Sequence, residues 1–182
     1  LLCLNRDDLR NALTGTNIIQ DIENVVNFIN NSNNITALIL TGNGKAFSAG
    51  GNIKEMYSKN SSFSGTVAEV EKKYRYGIQR ITKCMERLEV PSIAAINGPA
   101  VGAGMDLACM CDIRIMAEDT FLAESFINLG IIPGDGGAFL LQRIIGYQKA
   151  AEISFTGRKI YAEEALKIGL VLKVVKNNNL MK

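Results

Sequence analysis

Two glycine-bearing turns, GNGKAFSAGGNIK at 42–54 and NGPAVGAGMD at 97–106, decide how this chain is interpreted. Each turn follows a short apolar run, as a turn does at the end of a buried strand. Together, the two turns can offer two backbone N–H groups to one developing negative charge, which is an oxyanion hole. The second turn also delivers a carboxylate, Asp106, three residues beyond Ala103 and close enough to serve the same reacting centre.

The chain contains no histidine. A Ser-His-Asp triad, a Cys-His pair and a His-ligated metal are therefore excluded, and carboxylate acid/base chemistry remains. The first turn lacks the earlier glycine and the Ser/Thr of a P-loop, and the second lacks the third small residue of a dinucleotide fingerprint. A single glycine turn after a strand is most often ordinary turn chemistry, but two turns that each precede a helix-compatible segment favour a site for negative charge.

Composition sets the class of protein. With 182 residues, 47% hydrophobic and 21% charged, the chain is expected to form one globular domain over 1–182. Its net charge is only +2, so we expect neither a nucleic acid nor a membrane partner. The four cysteines lack CxxC spacing, which fits a reducing cytosol and predicts a cytoplasmic protein. No apolar run approaches the length of a membrane span.

Apolar patterns alternate between helical and strand-like spacing, which predicts an α/β fold. The first half is predicted to contain a helix over 17–30, a strand over 37–40, a polar loop over 59–65, a long helix over 66–88 and a strand over 92–96. The long helix begins at a capping box and carries its apolar face as far as Leu88.

The second half continues this alternation. DIRIMA (112–117) and TFLAES (120–125) read as a hairpin or as paired strands. GDGGAFLLQRIIG (134–146) reads as a glycine loop that leads into a helix, and YAEEALKIG (161–169) as a short helix with Gly169 at its C-cap.

These segments resemble the signature of the crotonase superfamily, the enoyl-CoA hydratase/isomerase family. The resemblance implies a spiral of ββα units and, in the family, a helical C-terminal region that builds trimers or hexamers. This chain stops near Val175, where that region should begin, so we expect the C-terminal oligomerisation region to be absent. The resemblance rests on LNRDDLRNAL (4–13), LILTGNGKAFSAGGNIKEM (38–56), VPSIAAINGPAVGAGMDLACMCDIRI (90–115), LGIIPGDGGAFLLQRIIG (129–146) and FTGRKIYAEEALKIGLV (155–171).

The resemblance implies roles for three residues of the two turns. The oxyanion donors of the family fall on the N–H groups of Gly51 and Ala103, and alanine in the middle of the usual glycine triplet leaves its N–H available. Asp106 falls where the family places its first catalytic glutamate, and a helix-start aspartate that caps backbone donors is the alternative interpretation.

The resemblance also implies a binding strip for the acyl-CoA thioester. Coenzyme A belongs to the substrate, so no separate cofactor and no metal are expected. Lys45 and Lys54 could reach its phosphates as flexible point charges, and solvated surface lysines are the alternative. The predicted strip consists of Lys45, Ala49, Gly51, Asn52, Ile53, Lys54 and Ala103.

The sequence departs from the hydratase pattern at the second catalytic glutamate. Counting back four residues from Gly130, that position is Phe126, which cannot transfer a proton. Two carboxylates could replace it: Glu124, on the same side of an extended strand, and Asp135, in the PGDGG turn. Glu124 could equally pair with Arg143, and Asp135 could equally bond to its own loop.

We favour Asp135 as the second group. A glycine-flanked turn at the start of a helix can aim a carboxylate into a cleft, and the helix dipole should lower the pKa of Asp135 and keep it ionised. Asp135 would then activate water, and Asp106 would donate the proton.

Three functions follow from these residues. The leading one is an acyl-CoA lyase of the enoyl-CoA hydratase type, which adds water to a 2-enoyl-CoA thioester through a stabilised enolate. The second is an enoyl-CoA isomerase with Asp106 as its single base. The third is a catalytically weak family member kept for binding, RNA included, which the near-neutral charge supports little. Acyl length is expected to depend on the variable stretch 56–76 and on the absent C-terminus.

Overall fold

Three apolar runs form the centre of a parallel sheet, and this sheet aligns the two glycine turns. In the computed structural model, which describes residues 1–56 and 64–182, β2 (Leu38–Gly42), β3 (Ser92–Ile96) and β5 (Ile113–Ala117) are parallel neighbours. β1 (Leu2–Leu4) and β8 (Lys173–Val175) complete the order β1-β2-β3-β5-β8. Most side chains of β2 and β3 are buried, because helices and loops cover both faces of the sheet. The predicted α/β class is confirmed.

A second, smaller sheet combines β4 (Ala100–Val101), β6 (Phe121–Ala123) and β7 (Lys159–Tyr161). β4 and β6 are parallel, and β6 and β7 are antiparallel. The predicted pairing of DIRIMA with TFLAES is therefore wrong. Both edges of β5 are already occupied, by β3 and β8, so the chain leaves the first sheet and β6 joins the second.

Helices surround the two sheets. Among residues 1–56 and 64–182, none of the helices combines the length and the apolar character that crossing a membrane demands. The α-helices are α1 (Ile18–Asn30), α2 (Ile53–Met56), α3 (Val67–Tyr76), α4 (Gln79–Glu86), α5 (Ala103–Cys109), α6 (Gly137–Ile145), α7 (Tyr147–Thr156) and α8 (Ala162–Lys167). The 3-10 helices are Asp7–Leu9, Ser125–Leu129 and Asn177–Asn179.

The predicted helix over 17–30 is confirmed as α1. Its buried residues recur at helical spacing and form one apolar face: Ile18, Ile22, Val26 and Ile29. α1 packs against α4, and the Nε of Arg80 on α4 donates to a carboxylate oxygen of Glu23 on α1 at 2.9 Å.

The predicted long helix is two helices. The capping box of Thr66 and Glu69 is confirmed at the start of α3. The helix ends at Gly77, whose backbone angles of φ −108° and ψ −109° are not helical, and α4 follows. A side chain at Gly77 would place its Cβ 2.4 Å from the carbonyl oxygen of Lys73, so this break requires glycine. The predicted loop over 59–65 falls mainly outside the described residues.

The register of β2 and β3 places both glycine turns at one edge of the sheet. The two strands are parallel, so their carboxyl ends lie side by side. The Oδ1 atom of Asn97 accepts hydrogen bonds from the Gly42 N–H at 2.9 Å and from the Thr41 hydroxyl at 3.3 Å. The side-chain amide of Asn97, in the second turn, thus holds the start of the first turn at Gly42.

Candidate active site

The two turns contact each other through Ser48. The Ser48 carbonyl accepts from the Val101 N–H at 3.0 Å, and the Ser48 N–H donates to the Pro99 carbonyl at 3.3 Å. A Cβ at Gly104 would lie 2.2 Å from the Ser48 carbonyl oxygen, so only glycine allows α5 to begin this close. Sequence reasoning missed Ser48. The signal that could have found it is a hydroxyl within a run of small and apolar residues, because a buried hydroxyl needs a hydrogen-bond partner.

Residues 10–14 hold the first turn from its other side. The Gly50 carbonyl accepts from the Leu13 N–H at 2.7 Å, and the Thr14 hydroxyl accepts from the Asn52 N–H at 2.8 Å. These contacts fix the backbone on both sides of Gly51, so the direction of its N–H is set by the fold rather than by a mobile loop.

Gly51 and Ala103 line the same small cavity, of about 40 Å³. Ala103 is the first residue of α5, so its N–H has no partner within the helix. Within the part of the chain that the structure describes, neither N–H group has a hydrogen-bond acceptor. Two N–H donors without acceptors therefore line one cavity, and their binding of one oxygen stays a prediction.

The rest of this cavity wall is apolar apart from Gly102 and the Ser125 side chain. Its volume is more than one water molecule needs, so the cavity has room for a carbonyl oxygen. Phe126 is one of its walls, and its ring lies 3.7 Å from the position that a Cβ at Gly102 would take. The other lining residues are Ala49, Ile53, Met56, Val101, Ser125, Leu129 and Ile131.

A wider groove of about 630 Å³ lies beside this cavity, and Ile131 lines both. Val67, Val70 and Tyr74 of α3 form one side of the groove, and Ile132 belongs to the other. These α3 residues belong to the variable stretch 56–76; residues 57–63 of that stretch lie outside the described part.

The predicted acyl-CoA strip is only partly assembled at the cavity. Ala49 and Ile53 line it together with the two N–H donors. The Asn52 side chain instead accepts from the Glu55 N–H at 3.4 Å, at the start of α2. Lys45 and Lys54 are exposed and do not line the cavity.

Three carboxyl groups meet behind the second turn. Glu124 and Asp135 each lie next to Asp106, which is the middle member of the cluster. Asp106 and Glu124 are each 1% exposed, and Asp135 is 3% exposed. Among the described residues, no lysine or arginine forms an ion pair with any of the three. Sequence reasoning offered Glu124 and Asp135 as alternatives; the structure brings both to Asp106.

Glycines in the PGDGG turn allow the backbone to pack closely against Asp106 and Tyr74. A Cβ at Gly137 would lie 2.1 Å from the Oδ1 atom of Asp106, so α6 can begin against this carboxyl only because residue 137 is glycine. A Cβ at Gly134 would lie 2.9 Å from the ring of Tyr74. The glycines therefore let the backbone approach Asp106 closely enough for Asp135 to reach it.

The family assignment follows from comparison with known proteins. The sequence model of the enoyl-CoA hydratase/isomerase family matches residues 1–182. The chain belongs to this family.

Individual relatives show the same architecture. A short-chain-enoyl-CoA hydratase of Clostridium acetobutylicum is 38% identical over the whole chain, which spans 67% of that protein. A solved enoyl-CoA hydratase of Bacillus anthracis is 38% identical with a TM-score of 0.85, over 98% of this chain and 66% of that one. A solved monofunctional enoyl CoA isomerase of M. smegmatis is 29% identical with a TM-score of 0.77, over 98% and 73%. The crotonase-like fold is thus confirmed, and the chain spans about two thirds of the length of these hydratases.

Burial sets the protonation of the three carboxyl groups. It raises the pKa of Asp106 well above its usual range, and the adjacent Asp135 and Glu124 raise it further. Burial also raises the pKa of Glu124 to about 8 and raises the pKa of Asp135. The contact with Asp106 opposes the rise in the pKa of both neighbours, as expected if Asp106 carries the proton and donates it. The directions of these shifts favour a proton on Asp106 over a proton on either neighbour.

Three expectations are corrected. Glu124 does not lie on an extended strand beside Phe126, because β6 ends at Ala123 and a 3-10 helix begins at Ser125. It does not pair with Arg143, whose guanidinium lies over the ring of Phe139. The pKa of Asp135 is raised rather than lowered, because desolvation outweighs the dipole of α6.

The alternative structural role of Asp106 is not observed. Asp106 is the fourth residue of α5, whose N-cap is Gly102, and no side chain caps this helix. Within residues 1–56 and 64–182, no set of three or more Cys, Asp and Glu side chains is arranged to hold a metal ion. Because burial raises the pKa of all three carboxyl groups, the cluster keeps protons to a higher pH than exposed carboxyls do.

Proton uptake by Glu124 predicts how stability depends on pH. Its pKa is 4.5 as a free side chain and about 8 in the folded protein, so the folded state binds the extra proton between these values. The free energy of unfolding should therefore fall as pH rises through this window, by about 1.4 kcal/mol per pH unit for each proton. In Glu124→Gln, the slope of the unfolding free energy against pH should be smaller by about the contribution of one proton. Urea unfolding at a series of pH values measures this slope.

A matched control replaces an exposed carboxyl. Glu118→Gln, on the exposed turn after β5, should keep the wild-type slope. A wild-type slope in Glu124→Gln as well would show that Glu124 takes up no proton on folding.

Proposed function

We propose that this protein is an enoyl-CoA hydratase that adds water to a 2-enoyl-CoA thioester. The observation that carries the proposal is the buried Asp106 carboxyl, which lies beside a second carboxyl and three residues after an unpaired N–H donor. Hydration needs one group to activate water and another to deliver a proton, and we assign the proton to Asp106 and the activation of water to Asp135. The family and the hydratase relatives support this choice.

The proposed reaction begins at the thioester carbonyl, whose oxygen accepts hydrogen bonds from the Gly51 and Ala103 N–H groups. Asp135 removes a proton from water, and the water oxygen forms a bond to C3. The C2–C3 π electrons move to form the enolate, whose negative charge the two donors stabilise. Asp106 then gives its proton to C2, which completes the addition of one water molecule.

The contact between Asp106 and Asp135 closes this cycle. After one turnover Asp135 holds the proton taken from water and Asp106 has lost one. Because the two carboxyls are adjacent, the proton can return directly from Asp135 to Asp106 without passing through solvent. Glu124 remains protonated throughout and keeps a second negative charge away from Asp106.

The acyl chain has a place in the same arrangement. We propose that it leaves the small cavity past Ile131 and lies in the apolar groove beside α3. The thioester carbonyl enters the small cavity, whose volume is about 40 Å³, and the acyl chain stays outside it. We assign Lys45 and Lys54 to the coenzyme A phosphates. Both side chains are exposed, so they can reach phosphates that remain in solvent.

The assembly and location of the protein are part of the same proposal. We infer a homotrimer or hexamer, because several large apolar side chains of the C-terminal half are exposed: Phe139, Tyr147, Phe155 and Leu172. We infer a cytoplasmic location, because the four cysteines are unpaired thiols.

A second candidate function is isomerisation by a single base. Moving a double bond requires one group that takes a proton from one carbon and returns it to another, which Asp106 could do alone. Phe126 favours this candidate, since an apolar ring occupies the wall of the oxyanion cavity. The likeness to the M. smegmatis isomerase supports it as well.

The oxyanion donors are tested by removing one N–H. Ala103→Pro deletes the N–H at the first position of α5, where proline is well tolerated in helices. We expect kcat/KM for crotonyl-CoA hydration to fall by about 10²–10³. Ala103→Gly keeps the N–H and is the control, expected to retain most of the activity. Equal activity of the folded proline variant and the glycine variant would remove Ala103 from the site.

The carboxyl roles are tested by amide substitution. Asp106→Asn should lower both hydration and isomerisation by about 10²–10⁴, because it removes the group common to both reactions. Asp135→Asn should lower hydration to a similar extent and leave isomerisation in place. Glu124→Gln, which still donates a hydrogen bond, should keep hydration within about tenfold of the wild type.

The outcome separates the candidate functions. If Asp135→Asn keeps full hydration activity while Asp106→Asn loses it, the two-carboxyl hydratase is contradicted. Isomerisation as the faster wild-type reaction would make the single-base isomerase the better account.

A further inference from the structure

Two side chains of α4 hold the backbone of the turn that carries Asp135. The Nε2 atom of Gln79 donates to the Gly134 carbonyl at 2.7 Å, and the Thr82 hydroxyl donates to the Asp135 carbonyl. Gln79 and Thr82 are three residues apart and therefore lie on the same face of α4. Two consecutive carbonyls of one turn are thus bonded to one helix.

Packing reinforces these two hydrogen bonds. Gly136 has φ +123°, and a Cβ there would lie 3.0 Å from the Cγ2 atom of Thr82. Thr82 therefore contacts the turn on both sides of the Asp135 peptide. On the opposite side, α6 begins against the Asp106 carboxyl at Gly137. The turn is enclosed between α4 and the carboxyl cluster, so the backbone position of Asp135 depends on α4.

We propose that Gln79 and Thr82 are positioning residues for Asp135. The inference rests on the proposed function, in which Asp135 activates the water that adds to C3. A group with this role has to be held within about 0.5 Å of its productive position. The turn is rich in glycine and has little stiffness of its own, so the two hydrogen bonds supply the restraint. Thr82 does not line the proposed acyl groove, whereas Gln79 does, so Thr82 gives the cleaner test of positioning.

A purely structural role makes a different prediction. If Gln79 and Thr82 only stabilised the fold, removing their hydrogen bonds would lower the thermal midpoint and change every activity in proportion to the folded fraction. If they position Asp135, hydration falls while isomerisation by Asp106 is retained, and the loss appears in kcat rather than in KM.

The test compares side chains of matched shape. Thr82→Val replaces the hydroxyl by a methyl group, Thr82→Ser keeps the hydroxyl, and Gln79→Met keeps the length of the side chain but removes its donor. We expect Thr82→Val and Gln79→Met each to lower kcat for hydration by about tenfold, and Thr82→Ser to restore it. KM should be unchanged in Thr82→Val, because Thr82 does not line the acyl groove. Lys83→Met, at an exposed position of the same helix, should match the wild type.

A double variant separates this inference from the proposed function. Added to Asp135→Asn, Thr82→Val should cause no further loss of hydration, because the group that it positions is already absent. Suppose that Thr82→Val and Gln79→Met keep the wild-type kcat while Asp135→Asn loses hydration activity. This result would overturn the positioning role and leave the proposed function standing. Full hydration in Asp135→Asn would overturn the proposed function itself. If Thr82→Val does not fold, Gln79→Met alone decides the question by the same kcat measurement.

Discussion

Burial of three carboxyl groups beside one another is the constraint on which the site depends. Asp106, Glu124 and Asp135 are withdrawn from water, and no cation among the described residues is paired with them. Such a cluster cannot ionise fully, so it keeps protons at a pH where isolated carboxyls have lost them. A protonated and an ionised carboxyl can then coexist in direct contact without histidine. This is the pair of states that adding water to a double bond requires.

The fold serves this cluster by bringing backbone segments unusually close together. Parallel pairing of β2 and β3 sets the two turns side by side, and glycine at 104 and 137 removes the side chains that would keep the segments apart. As a result the oxyanion donors, Asp106 and the Asp135 turn all converge on one end of α5. Substituting either glycine would be costly, because its Cβ would collide with the Ser48 backbone or with the Asp106 carboxyl.

The sequence predicted the local features of this site better than the distant ones. The strand ends, the two turns and the capping box at Thr66 follow from local patterns and are confirmed. The pKa of Asp135 was predicted in the wrong direction, because its burial depends on elements far away in the chain. Gln79 and Thr82 carry no sequence signal for their contacts, which span 55 and 53 residues. Glu124 was placed near Asp106 on a strand periodicity that the structure does not have.

The central claim is that one thioester oxygen is held by the two turns while the carboxyl cluster acts on the adjacent carbons. A crystal structure with a non-reactive acyl-CoA thioester tests this most directly. The account predicts that the thioester oxygen lies about 3 Å from both the Gly51 and Ala103 nitrogens. It also predicts that the Asp106 carboxyl lies on the C2 side and the Asp135 carboxyl on the C3 side. A thioester oxygen bound by only one of the two nitrogens, or an acyl chain that runs away from the carboxyl cluster, would contradict the account.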